Sequence, residues 1–131
     1  MPVESCLRLV NVLINDVIDN YTEYFELALL NEHKILYLSE EANKLQRQGY
    51  DTKEINKIIT ELLDVYVDDL DAFFSSPFFL SVCSILGWDY SGKCVEAKKI
   101  AWSRVNITQV KEQAWIEAKG ILLKIVSGRV V

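Results

Sequence analysis

Glycine and proline are scarce in this chain: 131 residues hold five glycines and two prolines, and neither type occurs between Val3 and Gln48. The glycines are dispersed, so no loop can cradle a phosphate through closely spaced backbone amides. There is one histidine, His33, and no Glu or Asp stands three residues before it. A di-metal carboxylate bundle, which needs Glu-x-x-His pairs on facing helices, is excluded on that ground. The three cysteines, Cys6, Cys83 and Cys94, are an odd number without CxxC spacing, which fits buried thiols in a reducing compartment better than disulfides or zinc. The first residues, MPVESCLRLVNVLIND, have no basic leader and are broken by polar positions every few residues. They read as neither signal peptide nor membrane span, and the expectation is a cytoplasmic protein with no membrane partner. No Asp-x-Asp-x-Asp-Gly calcium loop and no strand-like alternation of any length occurs. A nucleophile would have to be Cys6 or Cys83 with His33 as base. Cys83 falls on the Phe79 and Leu86 side of its helix, where a free cysteine acts as a small hydrophobe. No enzyme activity and no cofactor are expected.

What is present is helical periodicity and apolar bulk. Hydrophobic residues make up 50% of the chain and the mean hydropathy is +0.11, so apolar surface is expected to be left over for a partner or a second copy. The length suits a single domain, 1–131, able to bury its own core. Net charge is −5, but it is unevenly placed. Residues 1–87 carry 6 Lys/Arg against 15 Asp/Glu, a balance of −9, while residues 88–131 come to +4. Basic C-terminal helices packed beside an acidic layer would satisfy this internally; a bipolar surface serving two kinds of partner is the other reading.

The organising stretch runs from Asp51 to Gly87. Asp51 with Glu54 reads as a capping box, and Ile55, Ile58, Ile59, Leu62, Leu63, Tyr66, Leu70, Phe73 and Phe74 recur at helical spacing, predicting a helix of about six turns to Phe74. Its other face carries the acidic stripe Glu61, Asp64, Asp68 and Asp71, with Asp69 alongside. Ser76 and Pro77 then stop one helix and start the next, Phe78 to Leu86, which Gly87 caps. Before this stretch, Leu9, Val10, Leu13, Ile14, Val17, Ile18, Tyr21 and Phe25 keep helical period, as do Ala28, Leu29, Ile35, Leu36, Leu38, Ala42 and Leu45. A break is expected near residues 19–22, and Gly49 should turn the chain so that its neighbours are antiparallel. After it, Ser91 is the expected N-cap of a short basic helix to Trp102. Asn106 with Gln109 opens a last helix with Ile107, Val110, Ala114, Ala118, Ile121, Leu122 and Ile125 inward, ending at Gly128. Gly120, inside that helix, suggests close packing against a neighbour. The fold expected is all-α, five to six helices: N-terminal helices in 1–49, a central helix and corner in 51–87, and a basic C-terminal part in 88–131.

At the corner, Phe73, Phe74, Ser76, Phe79, Cys83, Leu86, Gly87 and Asp89 form a pattern, FFxSxxFxxxCxxLGxD, that resembles a recurrent element of small helical phage and prophage proteins of unassigned function. The resemblance covers about a quarter of the chain and implies a phage-type origin without an activity.

These features support three readings. The first is a non-enzymatic phage-type regulator or inhibitor that binds a host or phage protein, with Glu61, Asp64, Asp68, Asp69 and Asp71 as an acidic, nucleic-acid-mimicking face set against a basic surface, and with Trp88 and Tyr90 as exposed loop aromatics. In this reading Trp115 and the phenylalanines of residues 73–79 belong to the core. The second is a DNA-binding regulator in which residues 78–104 outline a helix-turn-helix bearing Lys93, Lys98, Lys99 and Arg104. Against it, Lys93 occupies a position that such a motif keeps apolar. The third is a homo-oligomeric structural component, favoured by the apolar excess alone.

Overall fold

The structure, a computed structural model, describes residues 3–64 and 70–129. Among these it is all-α: α1 (Val3–Arg47), α2 (Lys53–Leu63), a 3-10 helix (Leu70–Ser75), α3 (Pro77–Leu86), α4 (Tyr90–Arg104) and α5 (Ile107–Arg129). No described helix is long and apolar enough to cross a membrane. The chain forms two compact units, one of residues 1–25 and 67–105, the other of residues 26–66 and 106–131.

Contrary to the expected break near residues 19–22, α1 is one helix of 45 residues. The polar residues there are accommodated within the helix. Thr22 Oγ1 donates to the Ile18 carbonyl one turn back (2.8 Å), and Asp19, Asn20 and Glu23 point outward while Ile18 and Tyr21 are buried. Gly49 (φ 86°) turns the chain as expected.

Among the described residues the central helix expected to reach Phe74 is α only as far as Leu63; Tyr66 and the rest of 65–69 lie outside them. α2 stops at Leu63, with Asp64 as C-cap, and residues 70–75 are 3-10 rather than α. The spacing that suggested a stripe supplies the reason. Glu61 and Asp64, three residues apart, repel one another, both stand at the negative end of the macrodipole, and no basic residue stands in the last turn of α2. The start of α2 also departs from a capping box: Asp51 Oδ1 accepts from the Lys53 amide (3.0 Å), while Thr52, at the N-cap, makes no side-chain cap bond.

In the first unit, Val10, Ile18 and Tyr21 of α1, Phe74 of the 3-10 helix, Phe79, Val82 and Cys83 of α3, and Ala97 and Ala101 of α4 make one core. The corner forms as its sequence predicts. The Phe79 amide donates to Ser76 Oγ (3.2 Å), Pro77 opens α3, and Gly87 closes it in the left-handed region. Phe74 and Phe79 meet edge to face at 5.2 Å, but Phe78, expected in the core, is exposed. The N-cap of α4 is Asp89 rather than Ser91. Its carboxylate accepts from the amides of Ser91 and Gly92 (both 3.2 Å), a stronger acceptor that also complements the helix N-terminus.

In the second unit, Leu38 and Ala42 of α1, Ile55 of α2, and Ala118 and Ile125 of α5 share a core, with Tyr37, Leu45, Ile58, Ile59, Leu62, Ile121 and Leu122 packed against it. Leu62 of α2 thus shares a cluster with Leu38 and Ala42 of α1 and with Ala118 and Ile125 of α5. Leu36 and Leu63, read as inward, are exposed. The Gln109 amide donates to Asn106 Oδ1 (3.1 Å) and opens α5 as expected, but Ile107 is exposed and Gly120 has nothing within 4 Å of where a Cβ would stand. Gly120 therefore marks no close packing, and α5 continues past Gly128 to Arg129.

Candidate functional site

Two features of the described residues carry side chains that could act: a polar cluster in the first unit and an aromatic surface in the second.

The polar cluster grows from Tyr21. Its ring, 2% exposed, stacks between Phe25 (5.8 Å, 10°) and Phe74 (6.4 Å, 6°), and Phe25 continues the stack to Trp102 at 4.4 Å. Its hydroxyl donates to Asp71 Oδ1 at 2.5 Å and lies 3.6 Å from Cys94 Sγ. Lys98 Nζ donates to the other oxygen of Asp71 (3.1 Å), with its ammonium 5.8 Å from the Tyr21 ring centre. Burial first, then the bonds to Asp71 and Cys94, push the Tyr21 phenol above its ordinary value. The Tyr21 hydroxyl first, and Lys98 second, hold the Asp71 carboxyl below its ordinary range, and the bond to Asp71 raises Lys98. Every shift moves its group away from neutrality. A proton-transfer site needs a group poised near the working pH; this cluster instead keeps a neutral phenol, a carboxylate and an ammonium locked together, clamping the 3-10 helix to α1 and α4.

The basic residues of the helix-turn-helix reading are largely engaged within the first unit. Besides Lys98, Arg104 donates to Asp19 (3.1 Å). Lys93 lies over the Trp88 ring (4.3 Å) and pairs with Glu96 (3.6 Å). Lys99 is exposed. The intramolecular reading of the charge asymmetry accordingly has a structural basis at Asp19 and Asp71. Trp88, read as an exposed loop aromatic, is half-buried against the core with Lys93 over its ring; Tyr90 is exposed but opens α4 instead of lying in a loop.

The acidic residues are distributed between the two units. Glu61 and Asp64 are exposed at the end of α2 in the second, Asp71 belongs to the first, and Asp68 and Asp69 lie outside the described residues. α2 itself contributes only Glu61 and its cap Asp64 to the expected stripe. Cys83 is buried, and burial first, with the Asp89 charge second, pushes its thiol up. It belongs to the first unit and His33 to the second. No group of three or more His, Cys, Asp or Glu suited to a metal ion occurs among the described residues.

The aromatic surface of the second unit centres on Tyr37 of α1 and Trp115 of α5. Trp115, expected in the core, is 49% exposed. At about 100° per residue it stands well off the inward line of Ala114, Ala118 and Ile125. A groove of about 590 Å³ runs on one side, lined by Tyr37, Thr108, Lys111, Glu112, Trp115 and Ile116. A second, of about 400 Å³, is lined by Tyr37, Glu40, Glu41, Lys44, Trp115, Ala118, Lys119 and Leu122. Tyr37 and Trp115 line both, so they form a ridge between two grooves. Lys119 Nζ sits 4.9 Å from the Trp115 ring centre, and Lys34 pairs with Glu117 at 3.9 Å, tying α1 to α5. Sequence reasoning misses this surface because Trp115 follows an inward alanine; the signal available is an apolar pattern on α5 too wide for one buried face.

Comparison with protein-family models, with curated proteins and with solved structures returns no match. The functional reading therefore stands on these residues.

Proposed function

We propose that this chain is a non-enzymatic, protein-binding regulator or inhibitor of the phage type, acting in the cytoplasm, and that it engages protein through the Tyr37–Trp115 ridge of the second unit. The observation that carries the reading is Trp115, half exposed between two grooves and beside a second aromatic side chain. A bulky aromatic with an apolar groove on one side and a groove lined by Glu40, Glu41, Lys44 and Lys119 on the other has the composition of an interface hot spot, since it removes much apolar area from water while losing little side-chain entropy. Ile116, 57% exposed on the next position of α5, extends the apolar contact. The DNA-binding alternative has less support, because Lys93, Lys98 and Arg104 have intramolecular partners.

The test is capture by the tagged chain from a nuclease-treated mixture of bacterial lysate and untagged chain, with Trp115→Ala and Tyr37→Ala as comparisons. Loss of a hot-spot aromatic should weaken binding by about 30-fold or more, with helical content unchanged. Protein captured equally well by both variants, or none captured at all, overturns the proposal.

A further inference from the structure

α5 has a second face that its own unit leaves open. Thr108, Glu112, Trp115, Ile116, Lys119 and Leu123 fall within a sector of about 100° at helical periodicity, and all six are exposed, Leu123 at 58%. The steps 108, 112, 115 and 119, with 116 and 123 between and beyond, follow the four-three alternation by which one helix seats against another. The inward face of the same helix, Ala114, Ala118 and Ile125, is already filled by the unit's core.

The order of charges along this face identifies what fits it. Glu112 stands toward the N-terminus and Lys119 two turns later, with Trp115 and Ile116 between them. When an identical helix is laid antiparallel across a two-fold axis beside Trp115 and Ile116, Glu112 meets the partner's Lys119, and Lys119 meets the partner's Glu112. The two apolar pairs then meet at the axis, and Thr108, which lines the 590 Å³ groove, faces the partner's Leu123. One register thus matches both ion pairs and the apolar centre, which is what an isologous interface requires. Antiparallel helices also set opposite macrodipole ends together.

We infer that the occupant of this face is a second copy of the chain, forming a two-fold dimer through antiparallel α5 helices. The inference rests on the protein-binding reading above and names the partner. The two copies bury Trp115 and Ile116 at the axis, and the paired Glu112 and Lys119 fix register and direction on either side.

Equilibrium sedimentation of the full chain tests this. The wild type should pass from 15.1 kDa to twice that mass with a dissociation constant of about micromolar order, as suits a small interface. Glu112→Lys and Lys119→Glu each set like charges against one another twice, and each should weaken self-association by about 30-fold or more. Mixed one to one, the two variants become complementary again and should recover the dimer as a heterodimer. Both substitutions are at exposed positions, and circular dichroism confirms that each variant is folded. Three results overturn the dimer: a wild type monomeric at about 100 µM, well above that range; single variants that associate as tightly as wild type; or a mixture that stays monomeric. A monomeric wild type whose capture of some other protein still depends on Trp115 removes the second copy and leaves the protein-binding proposal standing. Capture indifferent to Trp115, with a monomeric wild type, removes both.

Discussion

Replacing Tyr21 by Phe tests whether the polar clamp holds the first unit together. The substitution keeps the ring that stacks on Phe25 and Phe74 and removes only the hydroxyl that donates to Asp71 and contacts Cys94. A hydrogen bond to a charged group contributes about 1.5–3 kcal/mol. The Asp71 side chain is 56% exposed, so water and Lys98 recover part of its acceptor capacity, and the expected loss is about 1–2 kcal/mol. With a urea slope of about 2 kcal/mol per M, the midpoint should fall by about 0.5–1 M at pH 7, followed by tryptophan fluorescence. The pH dependence has a definite sign. The folded Asp71 pKa is depressed, so this contribution is present above the unfolded carboxylate pKa and disappears as pH falls through the folded one. The difference between wild type and Tyr21→Phe should therefore shrink in acid. Tyr21 has the opposite sense: its folded pKa is raised, so its contribution is present below the unfolded phenol value of about 10 and is lost as pH rises through the folded value. An unchanged midpoint at pH 7, or a deficit that persists undiminished in strong acid, would refute the clamp.

Three further outcomes are expected. Phe79→Ala empties the centre of the first core, where Phe79 is fully buried, and should cost about 3–5 kcal/mol in calorimetry or urea titration; a loss near zero contradicts the packing. Gly120→Ala meets open space in mid-helix and should raise stability by up to about 1 kcal/mol, whereas destabilisation would mean that another helix packs closely there. In the native chain a thiol-specific reagent should modify Cys83 more slowly than Cys6 or Cys94, both half-buried, because burial excludes the reagent and raises the thiol pKa; Cys83 reacting first would show that α3 does not seal it.

The helices and several of their boundaries are legible in the sequence because they depend on near neighbours. Gly49 and Gly87 take backbone conformations that glycine adopts most readily, Ser76 and Pro77 satisfy the first turn of α3, and Asn106 caps α5, each through residues at most a few positions away. The same locality explains why all-α architecture could be read without any relative. Local signals misled where a distant partner or a summed charge decides. The polar residues near 20 suggested a break, but α1 is continuous there, with Ile18 and Tyr21 buried on its inner side. Apolar period suggested a helix to Phe74, but α2 ends at Leu63, where Glu61 and the cap Asp64 are carboxylates and no basic residue stands in the last turn.

The sequence by itself determined the all-α class, where the corners at Gly49, Ser76–Pro77 and Gly87 lie, and that basic and acidic residues fall in different parts of the chain. Tertiary structure alone decided where those charges go and which of two adjacent side chains is buried: Lys98 to Asp71 and Arg104 to Asp19, Phe79 inward and Phe78 outward, Ala114 inward and Trp115 outward. These choices join residues 27 and 85 positions apart, or turn on about 100° of helix rotation. A local pattern contains neither, since both are set by what the rest of the chain brings alongside.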